Sequence, residues 1–274
     1  MLLGHLVFGT LGAFVAVVIA RISLEFYVSL VKTAQNTSKL VEFEERTGAT
    51  WPLNIGQVYT TLDRLEREYT FARRLEHPHI VSMYELGHGW LAMELARGGT
   101  AAHLPDLHTR LAVLADIASA LDHAHRRGIV HCDVKPSNIL LSQQGPGGRA
   151  LLVDFGNAHS VAEDVWHRPA HGDVSLAYAA PEVLVGHTPT AAADEYSLAC
   201  TAVELITGAT PFTATSATSL IDQHLHSPAP RYTRTVEWIP RAFDSILAKA
   251  MAKDPDLRYG SCSEFITFIT RVLT

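Results

Sequence analysis

The segment His131-Cys132-Asp133-Val134-Lys135-Pro136-Ser137-Asn138 places a carboxylate, an ammonium and an amide on one short loop. Sixteen residues beyond Asn138, Asp154-Phe155-Gly156 follows the apolar run Leu151-Leu152-Val153. An amide and a carboxylate at Asn138 and Asp154 suit Mg²⁺, which takes oxygen ligands and keeps room for water and phosphate oxygens. Asp133 would then accept or orient a hydroxyl proton, and Lys135 would offset charge on a transferring phosphoryl group. The chemistry these residue types allow is metal-assisted phosphoryl transfer.

These strings resemble the eukaryotic-type Ser/Thr protein kinases. Ala180-Pro181-Glu182 stands at the family's A-P-E position, and the order and intervals from the catalytic loop through Asp154-Phe155-Gly156 agree. Asp194 resembles the buried aspartate beneath the family's catalytic loop, and Arg258 the arginine that pairs with the A-P-E glutamate, here Glu182. Ser175, seven residues before Glu182, occupies the position whose hydroxyl bonds the catalytic Asp and Lys. The resemblance continues upstream. Glu68 lies nine residues before His77, the family's interval from its N-lobe helix glutamate to the H-P motif. Met93 resembles the gatekeeper. Glu94, Leu95 and Ala96 resemble the hinge, whose backbone binds adenine.

The resemblance implies ATP and Mg²⁺, a protein substrate bearing Ser or Thr, catalytic roles for Asp133, Lys135 and Ser175, and metal ligation by Asn138 and Asp154. It implies nucleotide contacts at Glu68, Glu94 and Ala96. The D-x-K-P-x-N form of the loop is the Ser/Thr form; tyrosine kinases usually carry an Ala-Ala-Arg variant. Two departures stand out. Cys132 replaces the family's usual Arg, a non-RD arrangement, and a thiol cannot supply the charge-assisted contact to an activation-loop phosphate. Between Gly156 and Ser175 the only hydroxyl belongs to Ser160, which argues against phosphorylation of that loop as a switch. The run Val174-Ser175-Leu176-Ala177-Tyr178 also differs from the usual G-T-P-x-Y, which leaves peptide docking open.

The elements that must position these groups are legible in the spacing. Ile55, Val58, Leu62 and Leu65 share one helical face, and the pattern continues through Phe71, Ala72 and Leu75 to His77-Pro78. Residues 80–95 read as two short strands about Gly87-His88-Gly89. Leu111, Leu114, Ile117 and Leu121 predict a helix over 107–127 that ends in basic residues and Gly128. Asn138-Ile139-Leu140-Leu141 and the run 150–155 predict a hairpin. Residues 182–274 are mainly helical, with one helix closing at Gly208. The expected fold is α+β and protein-kinase-like, with a mainly helical C-lobe and a truncated or atypical small N-lobe containing β-strands.

The first 67 residues break the pattern. Leu3-Gly4-His5-Leu6-Val7-Phe8-Gly9 keeps two of the three glycines of a kinase phosphate loop, and Lys32 precedes Glu68 by 36 residues, about twice the family's interval. We read both as features of an apolar stretch rather than as a phosphate loop and its lysine. Residues 1–20 contain no charged side chain, and Arg21 closes the run. In a helix they would span about 30 Å. They read either as a membrane span, with Arg21 and Lys32 keeping the rest cytoplasmic, or as a buried helix or hairpin. Residues 41–67 resemble half of a PadR-type winged helix through Gly56-Gln57-Val58-Tyr59 and Leu62-Asp63-Arg64-Leu65-Glu66. The wing strands that should follow are replaced by the kinase helix. From Lys39 to Glu76 six basic and seven acidic residues leave a net charge of −1, which is no field for steering DNA. The expected organisation is an apolar segment over 1–40, a helix-turn-helix-like segment over 41–67 and a kinase-like domain over 68–274.

Composition narrows the rest. The 274 residues are 47% hydrophobic and 18% charged, with net charge −6 and no run of Lys and Arg, which excludes global disorder and argues against nucleic acid as a partner. Cys132, Cys200 and Cys262 are isolated, so neither a disulfide framework nor a zinc site is expected and a reducing compartment fits. The 15 histidines form no H-E-x-x-H or comparable ligand motif. The leading expectation is a Ser/Thr kinase in the cytoplasm, or at the cytoplasmic membrane face if residues 1–20 span. The alternatives are a pseudokinase scaffold, favoured by the missing N-lobe lysine, and a DNA-binding regulator acting through 41–67.

Overall fold

The computed structural model describes residues 55–87, 90–143, 148–162 and 175–274. The apolar run 1–20, the glycines near residues 4–9, Lys32 and the first half of the helix-turn-helix-like segment lie outside the described residues. Helix α1 (Ile55–Ala72) runs unbroken from the winged-helix-like string through Glu68 and buries Glu68, Phe71 and Ala72. Strands β1 (Met83–Gly87) and β2 (Trp90–Met93) pair antiparallel, with Leu86 opposite Leu91, as the alternating pattern over 80–95 predicts.

Helix α2 (Leu107–Arg126) opens on an Asp106 cap, whose carboxylate accepts from Thr109 N–H at 2.8 Å. Gly128, at φ 69°, turns the chain from it into β3 (Ile129–Val130). Strands β4 (Ile139–Leu141) and β5 (Ala150–Leu152) form the expected hairpin, and β6 (His159–Ser160) pairs with β3, a partnership that spacing did not suggest. The loop after α1 docks on this hairpin: Leu152 N–H donates to His79 O at 2.8 Å, and Val81 N–H to Leu152 O at 3.1 Å.

The helical lobe holds α3 (Pro181–Leu184), α4 (Ala191–Thr207), α5 (Ala217–His226), α6 (Arg241–Ala250) and α7 (Cys262–Leu273). Helix α4 is buried along almost its whole length and closes on Gly208 at φ 85°. Its Leu198 and Val203 join Leu114, Ile117 and Leu121 of α2 and Phe265 and Ile269 of α7 in one continuous core. At roughly 25 cal/mol per Å² of apolar area removed from water, this core supplies the rigid bed for the loops at its upper edge. A small second cluster, Val81, Leu140 and Val153 with Met83, Met93 and Ala96 against it, lies beneath the segment after β2. Among the described residues no helix is long and apolar enough to cross a membrane.

Candidate active site

The loop after β3 is anchored from below by one carboxylate. Asp194, fully buried in the first turn of α4, accepts from His131 N–H at 2.7 Å, Cys132 N–H at 2.8 Å and His125 Nε2 at 2.7 Å. Burial by itself would raise this carboxyl, but the hydrogen bond and charge of His125, with His131, hold it below the usual carboxylate range. Gripping two successive backbone N–H groups forces a sharp turn, and Cys132 takes the left-handed conformation at φ 65°. His131 locks the next step. Its Nδ1 lies 3.2 Å from Asp133 N–H, and its Nε2 faces Val153 O at 3.0 Å. The ring also packs edge-on against Phe155, with centroids 4.7 Å apart.

Asp133 therefore emerges in a fixed position, and its carboxylate Oδ2 accepts from Lys135 Nζ at 2.7 Å and Asn138 Nδ2 at 3.1 Å. Lys135 Nζ also donates to Ser175 Oγ at 2.7 Å, which closes a chain from loop to loop. Asn138 Nδ2 donates to Asp133 O at 2.9 Å as well, and with its amide nitrogen so used, Asn138 presents Oδ1 for a cation. Val153 N–H donates to Asn138 O at 3.0 Å and so draws Asp154, the following residue, alongside. The structure thus brings Asp133, Lys135, Asn138 and Ser175 together, with Asp154 beside Asn138 through the neighbouring Val153.

Asp154 is left-handed at φ 66°, and its Oδ1 accepts from Gly156 N–H at 3.4 Å. Its other oxygen is taken by a residue that the spacing arguments missed: Arg64 Nη2 donates to Oδ2 at 2.6 Å. Burial alone would raise the Asp154 carboxyl. The facing Arg64, then His131 and Lys135, outweigh it and keep Asp154 ionised. Glu68, one turn beyond Arg64 on the same helix face, is buried. Desolvation, then the Asp154 charge, push it up to about 8. Among the described residues no lysine pairs with Glu68. The signal for Arg64 was present in its four-residue offset from Glu68, but only the docking of α1 turned that face toward Asp154.

The hinge residues stand apart from this cluster. Glu94 N–H donates to Ser82 O at 2.9 Å, its side chain pairs with Arg149, and Ala96 packs against the small apolar cluster beneath the hinge. Ser160 is buried in β6, which removes the one hydroxyl between Gly156 and Ser175 from ready access. Burial, then the Asp194 charge, push the Cys132 thiol well above its ordinary range. Below Ser175, Glu182 meets Arg258 through paired contacts, Nη1 to Oε1 at 2.7 Å and Nη2 to Oε2 at 2.8 Å, the partnership expected from the sequence.

A family model described as the protein kinase domain matches residues 54–267. The chain belongs to the protein kinase family. A model described as a domain of unknown function, DUF4282, matches residues 1–42, and the winged-helix resemblance over 41–67 is not confirmed. The serine/threonine-protein kinase PknJ of Mycobacterium bovis is 39% identical over 214 residues, 74% of this chain and 36% of that protein. PknH of Mycobacterium tuberculosis is 37% identical over 212 residues, 74% of this chain and 33% of that protein. The chain thus spans about a third of the length of the curated relatives it matches. The crystal structure of the M. tuberculosis PknI kinase domain, C20A mutant, superposes with TM-score 0.58 at 31% identity, covering 77% of this chain and 78% of that one. The α+β kinase fold expected from the sequence is therefore the fold observed. Membership implies ATP and a divalent cation, and the hard oxygen donors of Asn138 and Asp154 fit such a cation.

Proposed function

We propose that this chain is a Ser/Thr protein kinase of the non-RD type, moving the γ-phosphoryl of Mg-ATP to a protein hydroxyl. The observation that carries this reading is the chain Asp133–Lys135–Ser175, closed by two contacts of 2.7 Å and braced by Asn138. Asp133 orients the attacking hydroxyl and takes up its proton. Lys135, held between carboxylate and serine, neutralises charge as the phosphoryl group moves, and Ser175 fixes its ammonium in place. Asn138 and Asp154 would hold the Mg²⁺, whose chemistry when bound would be to offset negative charge on the phosphates. The backbone of Glu94 and Ala96 would receive the adenine, with Ala96 packed against the apolar cluster of Val81, Leu140 and Val153, and Glu68 is buried near Asp154. Cys132 in place of arginine, together with the buried Ser160, fits a kinase whose loop is not switched by phosphorylation.

The division into 1–40, 41–67 and 68–274 stands as part of the same reading, with α1 crossing its second boundary. We assign 41–67 no DNA-binding role. With three basic and five acidic residues its net charge is −2, and the helix that would enter a groove continues into Glu68. The kinase portion acts in the cytoplasm, and residues 1–20 would hold it to the membrane face if they span. A second reading, a scaffold without catalysis, has one observation in its favour: Arg64 sits on the carboxylate that should hold the metal. Radiolabelled Mg-ATP with a generic Ser/Thr substrate decides between them. The parent chain labels the substrate, and Asp133→Asn lowers labelling by at least about 100-fold, the scale of a lost general base. Equal signals from parent and variant at high enzyme concentration leave only the scaffold.

A further inference from the structure

We infer that Arg64 competes with the divalent cation for Asp154, so that metal loading requires the guanidinium to leave Oδ2. The inference rests on the reading of Asp154 as a metal ligand and concerns what else that carboxylate holds. Four observations carry it. Arg64 Nη2 lies 2.6 Å from Oδ2, while Oδ1 faces the backbone N–H of Gly156 at 3.4 Å, so both carboxylate oxygens have partners and the guanidinium holds the closer contact. Gly156 is shaped for that arginine: a β-carbon there would lie 2.4 Å from Arg64 Cγ and 2.7 Å from Nε. The arginine stem therefore lies on a backbone kept bare where it crosses. Arg64 is delivered by a helix rather than a loose loop, and Arg67 Nη2, donating to Ala158 O at 2.6 Å, ties that helix to the same segment. Arg64 also faces Asp154, Asp133 and Glu68 together, so its charge is set among the groups a cation would otherwise meet.

A guanidinium and a hydrated dication that seek one carboxylate oxygen repel each other, so each lowers the other's occupancy. The competition has a definite size. A part-exposed ion pair of this kind is worth up to ~1 kcal/mol, which corresponds to about a fivefold change in an equilibrium constant.

The test uses the full chain, with Mn²⁺ as the probe and free Mn²⁺ followed by electron paramagnetic resonance, with and without a non-hydrolysable ATP analogue. Arg64→Gln is expected to tighten Mn²⁺ binding about fivefold, with Arg64→Lys between it and the parent. Unchanged or weaker binding in Arg64→Gln overturns the inference, and weaker nucleotide binding would instead make Arg64 a phosphate clamp. Arg67→Ala cuts the neighbouring tether without touching Asp154, and circular dichroism verifies folding of every variant. If Arg67→Ala tightens Mn²⁺ as much as Arg64→Gln does, helix loosening is the cause and the inference falls. Asp154→Asn separates the two levels of the argument. Its loss of Mn²⁺ with no effect of Arg64→Gln sinks the competition alone, whereas Mn²⁺ binding that survives Asp154→Asn sinks the metal-site reading beneath it.

Discussion

Replacing Arg258 by Met tests how the helical lobe supports the site. The guanidinium is almost fully buried and meets both oxygens of Glu182, at 2.7 and 2.8 Å. It also donates to Ala192 O at 2.7 Å from Nη1 and to Ala252 O at 2.9 Å from Nε. Methionine keeps much of the aliphatic volume and removes every one of these donors. Glu182, itself buried, then carries an uncompensated charge, a situation that costs about 3–5 kcal/mol. At roughly 2–4 °C per kcal/mol for a domain of this size, melting should fall by about 6–20 °C. Urea titration followed by circular dichroism gives the free energy, and a thermal scan gives the melting shift. The double variant Glu182→Met with Arg258→Met removes the stranded charge and should recover about 2 kcal/mol or more relative to Arg258→Met alone. A single variant within about 1 kcal/mol of the parent, or a double variant no better than the single, refutes the claim that the buried charge pair governs this contact. Glu182 opens α3, seven residues after Ser175, so the same loss should loosen the segment that reaches Lys135.

Two further outcomes follow from buried polar groups. Asp194→Asn leaves one oxygen to serve the N–H groups of His131 and Cys132, so the left-handed turn at Cys132 loosens. Stability should fall by about 1–3 kcal/mol and phosphoryl transfer by at least tenfold; unchanged kinetics would show that Asp133 does not depend on this anchor. His224 is buried against Tyr196 and Phe212, and desolvation, then the Lys253 charge, push it down to about 4. The folded state holds it neutral while the unfolded chain protonates it near 6.5, so its contribution is complete above about pH 6.5 and is lost as pH falls toward 4. His224→Phe should flatten that acid limb in urea titrations at pH 7 and pH 5, and an identical slope in parent and variant would remove His224 as its source.

Much of the site was legible because its parts are local or family-spaced. Asp133, Lys135 and Asn138 share one eight-residue string, so their proximity needs only a tight loop. The hairpin of β4 and β5 and the helices over α2 and α4 followed from periodicity and glycine stops, which depend on the backbone's own geometry. Glu182 with Arg258 was readable through the kinase resemblance, although periodicity alone offers no reason to join residues 76 positions apart.

Other features had no local cause. The pairing of β3 with β6 rests on two residues in each strand, too few for alternation to show. The state of Glu68 depends on being buried beside Asp154, and burial is a property of the packed molecule rather than of any string of residues. Arg64 is the sharpest case. In sequence it is an ordinary arginine on an amphipathic helix, placed by its neighbours in a winged-helix-like pattern. Its meeting with Asp154 joins residues 90 positions apart across the cleft. The sequence by itself determined which candidate groups lie together on one loop and in what order they occur. The tertiary structure alone decided that Arg64 faces the Asp154 carboxylate, because electrostatic partnership depends on distance and burial, and these exist only once α1 has docked.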